Sequence, residues 1–144
     1  MLVQQILKAK GDAKVLTVEP GSLVKDAAKI LADNRIGSVV VSGDGRSAAG
    51  ILSERDIVRE LAARGSSCMS EVVDALMTKK LVTCALADDA NEILEKMTEG
   101  RFRHMPVMEA DTMVGIITLG DVVKARLTEL AMEKDALEGM IMGH

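Results

Sequence analysis

Apolar positions along the chain fall into two rhythms that follow one another twice. Val24, Ala27, Ala28 and Leu31 recur at i, i+3, i+4 and i+7, and Ala90, Ile93, Leu94 and Met97 repeat that spacing 66 residues later. Each set predicts a helix with one buried stripe, running to about Asn34 and about Glu99, with N-caps expected at Ser22 and Asp88. Runs of strand length flank these helices. They are Val15 to Val18, Ser38 to Ser42 and Ala48 to Leu52 in the first half, and Leu81 to Cys84, His104 to Glu109 and Met113 to Ile117 in the second. Ser42-Gly43-Asp44-Gly45 carries the turn residues of a hairpin, and Glu109-Ala110-Asp111 carries fewer of them. A further helix closes each half, from Glu54 to about Arg64 and from Leu119 to about Met140. The predicted order is β-α-β-β-α, twice, in an α/β (α+β) fold.

Identities support the repeat. At an offset of 66, Thr17 meets Thr83, Arg35 meets Arg101 and Val41 meets Val107; after one residue is dropped, Gly50 meets Gly115, Ile51 meets Ile116, Asp56 meets Asp121 and Val58 meets Val123. Hairpin loops of unequal length account for the dropped residue. The reading divides the chain into residues 1–66, a first repeat with an N-terminal lead, and 67–144, a second repeat with an extended last helix. Ser70 to Met77 is expected to form a short helix resembling Val3 to Leu7. Neither half, at about 65 residues, looks self-sufficient, so the two are expected to pack face to face over one shared core.

Composition narrows the function classes. The 144 residues are 48% apolar and 28% charged, the profile of one soluble globular unit too small for a catalytic domain plus a regulatory one. With no Trp, no Tyr and the single Phe102, a base-stacking nucleic-acid surface is not expected. A net charge of −4 argues against tracking a phosphate backbone, although Arg101, Arg103 and His104 could meet one or two phosphates of a small ligand. Cys68, Cys84, His104 and His144 have no metal-ligand spacing, and two thiols make no disulfide framework, which points to a reducing cytoplasm. Gln4 and Gln5 break the first apolar stretch, and no run approaches the roughly 18 residues needed to span a bilayer, so neither secretion nor membrane insertion is expected. The ten Met residues read as adaptable core filler.

One small pattern could carry chemistry. Gly50-Ile51-Leu52-Ser53-Glu54-Arg55-Asp56 and Gly115-Ile116-Ile117-Thr118-Leu119-Gly120-Asp121 both read Gly-apolar-apolar-Ser/Thr-x-x-Asp. Two readings stand open. The hydroxyl and the acid can cap a helix N-terminus. The same strand-to-helix turn also gathers free N–H groups, a hydroxyl and a carboxylate, which suits a phosphorylated ribose. Arg35 and Arg101 could simply complement a helix dipole, His104 could be a structural histidine, and Thr17 and Thr83 could be β-favouring residues. No nucleophile stands beside a base, so enzyme activity is not expected.

The twofold plan with these motifs, together with Gly100-Arg101-Phe102-Arg103-His104-Met105-Pro106-Val107, resembles the CBS (cystathionine β-synthase) domain occurring as a tandem pair in small stand-alone bacterial proteins. The resemblance covers essentially the whole chain. It implies two clefts related by pseudo-twofold symmetry that take adenosine-containing ligands such as AMP, ADP, ATP, NAD(H) or S-adenosylmethionine. Carried over by position, one cleft uses Ser53 and Asp56 with Thr83, Phe102 and Arg103 of the opposite repeat. The other uses Thr118 and Asp121 with Thr17, Ile36, Gly37 and Ser38. In this scheme Asp56 binds ribose, Ser53 a phosphate or ribose oxygen, Ile51 and Ile116 wall the adenine, and Arg103 and His104 lie near phosphates. Gly37-Ser38 stands where the second repeat has Arg103-His104, and Val40 where it has Pro106, so the clefts are expected to differ in affinity.

The implied function is a non-enzymatic sensor that passes nucleotide occupancy to an unidentified protein target. A constitutive dimerisation or scaffold module with vestigial clefts, an S-adenosylmethionine sensor, and a small enzyme using a nucleotide as cosubstrate are the rivals. Leu127, Leu130, Lys134 and Leu137 extend one stripe of the last helix beyond the repeat, and a homodimer contact is expected there.

Overall fold

The computed structural model describes residues 1–11 and 15–142; His144, weighed above as a metal ligand, lies outside them. In chain order the elements are α1 (Val3–Lys10), β1 (Thr17–Val18), α2 (Val24–Asn34), β2 (Ser38–Val41), β3 (Gly50–Ser53) and α3 (Glu54–Arg64). A 3₁₀ turn over Gly65–Ser70 leads into α4 (Val73–Leu76), α5 (Ala90–Gly100), β4 (His104–Glu109), β5 (Thr112–Thr118) and α6 (Leu119–Ile141).

The sheets repeat each other's register. In the first, β1 runs parallel to β2 and β2 antiparallel to β3, with Ser38 opposite Ser53 and Val41 opposite Gly50. In the second, β4 and β5 place His104 opposite Thr118 and Val107 opposite Gly115. The run expected at Leu81 to Cys84 shrinks to a single bridge between Cys84 and Val107, the counterpart of Val18 opposite Val41. Proline chemistry explains the loss. Val40 N–H donates to the Leu16 carbonyl at 3.2 Å in the first repeat, whereas its counterpart Pro106 has no N–H to offer Val82.

The connections differ as well. Between β2 and β3, Asp44 Oδ1 accepts from the backbone N–H groups of Ser47 and Arg46, both at 2.8 Å, and these bonds hold its carboxyl well below the ordinary carboxylate range. Between β4 and β5 the turn is only Ala110-Asp111, with Ala110 in the left-handed region at φ 55°.

Both expected N-caps are displaced by one residue. The cap of α2 is Leu23, not Ser22, and it offers no side-chain bond. The Ser22 carbonyl accepts from Val73 N–H at 2.7 Å, and the Val24 N–H is met by the Glu71 carbonyl at 2.9 Å. Backbone from the segment before α4 thus replaces a side-chain cap. The cap of α5 is Asp89, whose Oδ1 accepts from Asn91 N–H, while Asp88 accepts from Ala85 N–H and fixes the preceding turn.

These contacts belong to an exchange of leads. α1 docks on the second repeat, where Val3 N–H donates to the Asp88 carbonyl and Ala90 N–H to the Met1 carbonyl, both at 2.9 Å. Val3 and Ile6 are buried there with Ile93, Met97, Met105, Ile117 and Val122. The turn and α4 dock back on the first repeat, burying Cys68, Val73 and Leu76 with Val24, Leu31, Val39, Leu52 and Ile57. The single shared core expected from sequence is therefore two cores, each completed by the other repeat's lead. A smaller apolar cluster of Val40, Ile51 and Met113 joins them.

The lead crossing also accounts for the glycine that opens both motifs. A Cβ on Gly50 would meet Met77 Sδ at 2.5 Å and the Thr78 carbonyl at 3.0 Å; one on Gly115 would meet Leu7 Cδ2 at 2.9 Å. Both positions lie directly under a lead, and only glycine leaves room.

Candidate nucleotide-binding clefts

Each Ser/Thr-x-x-Asp turn closes a reciprocal cap. Ser53 N–H and hydroxyl donate to Asp56 Oδ2, both at 3.0 Å, and Asp56 N–H donates to Ser53 Oγ at 3.2 Å. Thr118 N–H donates to Asp121 Oδ2 at 2.9 Å, and Asp121 N–H to Thr118 Oγ1 at 3.1 Å. The capping reading therefore describes the local geometry of both turns. It does not exhaust them, because each box uses one carboxylate oxygen and leaves the other outside.

Two clefts open beside these turns, of about 720 Å³ at Asp56 and about 420 Å³ at Thr118, within the ~300–1,000 Å³ range of small-molecule sites. The larger brings Ile51, Ser53 and Asp56 of the first repeat together with Phe102, Arg103 and His104 of the second. The smaller brings Thr118 and Ile116 together with Ile36, Gly37, Ser38 and, again, His104. Thr17 and Thr83 line neither cleft; the residues before them do, Val15 and Leu16 in the smaller and Leu81 and Val82 in the larger. Asp121 is likewise not part of a lining, but its partner Lys10 is.

Lys10 and Lys80 were not anticipated, and both stand in cleft walls. The signal that finds them is a second offset: sliding the leads by 70 residues places Val3 on Val73 and Lys10 on Lys80. The equivalence breaks where the leads end. α4 stops at Leu76, the chain extends, and Thr78 exchanges hydrogen bonds with Ile51 at 2.8 and 3.0 Å. α1 stays helical through Lys10, so the corresponding carbonyl of Ile116 is met by Lys10 Nζ at 3.0 Å. The same ammonium sits 2.8 Å from Asp121 Oδ2. Burial alone would push the Asp121 carboxyl up; the Lys10 bond and the Thr118 N–H outweigh it and leave it below its ordinary value. Asp56, by contrast, is nearly buried and has only the exposed Arg59 guanidinium near its second oxygen, at 3.4 Å.

Arg35 and Arg101 occupy equivalent C-cap positions in the left-handed conformation, φ 51° and 54°, and each lines a cleft. A dipole-complementing role needs no such conformation, which glycine adopts at less cost. His104 lines both clefts and lies against Gly37, where a Cβ would stand 3.1 Å from its Nε2. Its pKa is lowered, first by burial; Glu54 pulls it up, Arg103 pushes it down, and Asp121 and Asp56 pull it up.

Comparison with known proteins fits this geometry. The CBS domain family matches residues 11–63 and 72–128. The chain is 32% identical to the mitochondrial CBS domain-containing protein CBSX3 of Arabidopsis thaliana, over 98% of this chain and 72% of that protein. It also resembles the Arabidopsis CBSCBSPB2 protein at 30% identity, but spans only 23% of that chain's length. Among solved structures, the CBS-domain protein ATU1752 of Agrobacterium tumefaciens superposes with a TM-score of 0.83 at 40% identity, covering 88% of this chain and 99% of that one. The same fold recurs at lower identity in two ligand complexes. PAE2072 of Pyrobaculum aerophilum, complexed with AMP, has 23% identity and a TM-score of 0.77, covering 92% of this chain and 99% of that one. The CBS pair of MJ0100, with 5-methylthioadenosine and S-adenosyl-L-methionine, has 22% identity and a TM-score of 0.77, covering 90% and 98%. The chain belongs to the CBS domain family, as a tandem pair.

Proposed function

We propose that this chain is a non-enzymatic regulatory module that binds an adenosine-containing ligand, AMP, ADP, ATP or NAD(H), chiefly in the cleft at Asp56. The observation that carries this reading is the meeting, in one cleft, of Ile51, Ser53 and Asp56 from one repeat with Phe102 and Arg103 from the other. A ligand there touches both repeats, so its occupancy biases their arrangement. Asp56 offers a carboxylate to a ribose diol, Ile51 and Phe102 offer apolar surface to a base, and Arg103 offers charge to a phosphate. The AMP and S-adenosylmethionine complexes of proteins with the same fold support the ligand class. No described helix is long and apolar enough to cross a membrane. Two buried free thiols, Cys68 and Cys84, support a reducing cytoplasm.

Output passes to a partner protein and between two copies of the module. The surface of α6 supports the second part, since Leu127, Leu130, Leu137 and Met140 are 62, 44, 58 and 77% exposed along the helix beyond the repeat. That same surface favours the scaffold reading if the clefts stay empty.

The test is calorimetric unfolding of wild type, Asp56→Ala and Asp121→Ala, each against its own ligand-free scan, with AMP, ADP, ATP, NAD, NADH and S-adenosylmethionine. A ligand at about 100 times its dissociation constant adds roughly 2.7 kcal/mol, several degrees for a chain of this size. The expected result is a rise in wild type and Asp121→Ala that is lost in Asp56→Ala. No rise with any ligand at millimolar concentration would leave the scaffold reading. Turnover of ATP or NADH that disappears with both Asp substitutions would replace the module with an enzyme.

A further inference from the structure

We infer that the cleft at Asp56 is built for a nucleotide carrying two or more phosphates, and that five cationic side chains, Arg55, Arg59, Lys80, Arg101 and Arg103, select it by phosphate number. The inference rests on the adenosine-ligand reading above and adds the ligand's charge class. All five line this cleft, with Asp56 as the one carboxylate among them, in a chain whose net charge is −4.

Their origin in the fold distinguishes them from an ordinary solvated stripe. Arg55 and Arg59 lie one turn apart on α3; Lys80 follows α4; Arg101 is the left-handed cap of α5; Arg103 leads into β4. Three segments from both repeats therefore direct like charge into one space. Of these five, only Arg59 is ion-paired among the described residues, with Asp56 at a loose 3.4 Å; Arg55, Lys80, Arg101 and Arg103 have no ion-pair partner there. Crowding unpaired cations is unfavourable for folding, and a bound anion removes that repulsion.

The other cleft supplies the internal control. Gly37 and Gly120 stand at the positions of Arg103 and Arg55, and Lys10, the counterpart of Lys80, is held by Asp121 and the Ile116 carbonyl. Of the five, only Arg101 keeps an unpaired cationic counterpart in that lining, Arg35, so charge is concentrated in the cleft at Asp56. A monophosphate carries about two negative charges and engages one or two guanidinium groups, whereas five cations match a chain of phosphates.

Titration calorimetry of the whole chain with adenosine, AMP, ADP, ATP and inorganic tripolyphosphate tests this, on wild type and Arg55→Gln/Arg59→Gln. ATP is expected to bind at least about tenfold more tightly than AMP, with an advantage that shrinks as salt is raised. In the double variant that advantage collapses to within about threefold, ATP losing more affinity than AMP. AMP binding as tightly as ATP, or an ATP advantage that survives in the variant, would overturn the inference and leave the adenosine reading standing. Tripolyphosphate binding without any adenosine compound would overturn the adenosine reading and keep the phosphate subsite. Binding of neither kind would end both.

Discussion

The turn from β3 into α3 and the turn from β5 into α6 close the same capping box, yet their carboxylates keep different company. Asp121 is bonded by the ammonium of a lead helix that runs one turn farther than its counterpart. Asp56 is left with a loose, exposed guanidinium, in a wider cleft ringed by arginines. The comparison separates what duplication preserves from what it lets vary. Capping recurs because both helices need it, so repetition of Ser/Thr-x-x-Asp alone says nothing about a ligand. Gly37 against Arg103, Gly120 against Arg55 and held Lys10 against unpaired Lys80 are departures that a scaffold does not require.

The largest effects should come from the leads. Ile6→Ala and Leu76→Ala each remove a buried side chain that one repeat lends to the other, and each should cost about 2–5 kcal/mol. Hydrogen exchange should show Ile6→Ala loosening Ala90–Gly100 before Val24–Asn34, and Leu76→Ala the reverse. Loss of protection from the same helix in both variants would mean the cores are not separately completed.

A smaller and opposite effect is expected at the left-handed caps. Arg35→Gly and Arg101→Gly should each stabilise the ligand-free chain by up to about 1 kcal/mol, because glycine adopts this conformation without the side-chain penalty. Nucleotide affinity should fall only with Arg101→Gly, and an equal fall in both variants would erase the distinction between the clefts.

The mildest effect concerns His104, which the clefts share. Its folded pKa lies below 6.5, so the unfolded chain takes up a proton there first, and stability should decline as pH falls from about 6.5 toward 5. His104→Gln should flatten that slope in thermal unfolding between pH 5 and 7; an unchanged slope would assign it to other groups.

Most of the fold was legible because its signals are local. The stripes at Val24–Leu31 and Ala90–Met97 became α2 and α5, ending at Asn34 and Gly100. The pairing of leads was not legible, since the contact of Val3 with Asp88 has no periodic trace. The displaced caps follow from that same pairing, and the lost strand at Leu81 to Cys84 from Pro106, whose presence was visible but whose missing N–H mattered only once Val82 stood opposite. Ser53, Asp56, Phe102 and Arg103, which meet in the wider cleft, were legible through repetition and resemblance. Lys10 and Lys80 escaped because their offset is 70 and the alignment of the repeats runs at 66.

The exchanged leads bear on copy number. A chain holding one lead and one repeat would leave a docking face uncovered, and reciprocal embrace with a second copy would be the simplest way to close it. Placing both repeats on one chain turns that bimolecular encounter into an intramolecular one, with an effective concentration set by the short connection over Gly65–Ser70. Cleavage in that connection should accordingly yield two fragments that remain interlocked, each wearing the other's arm.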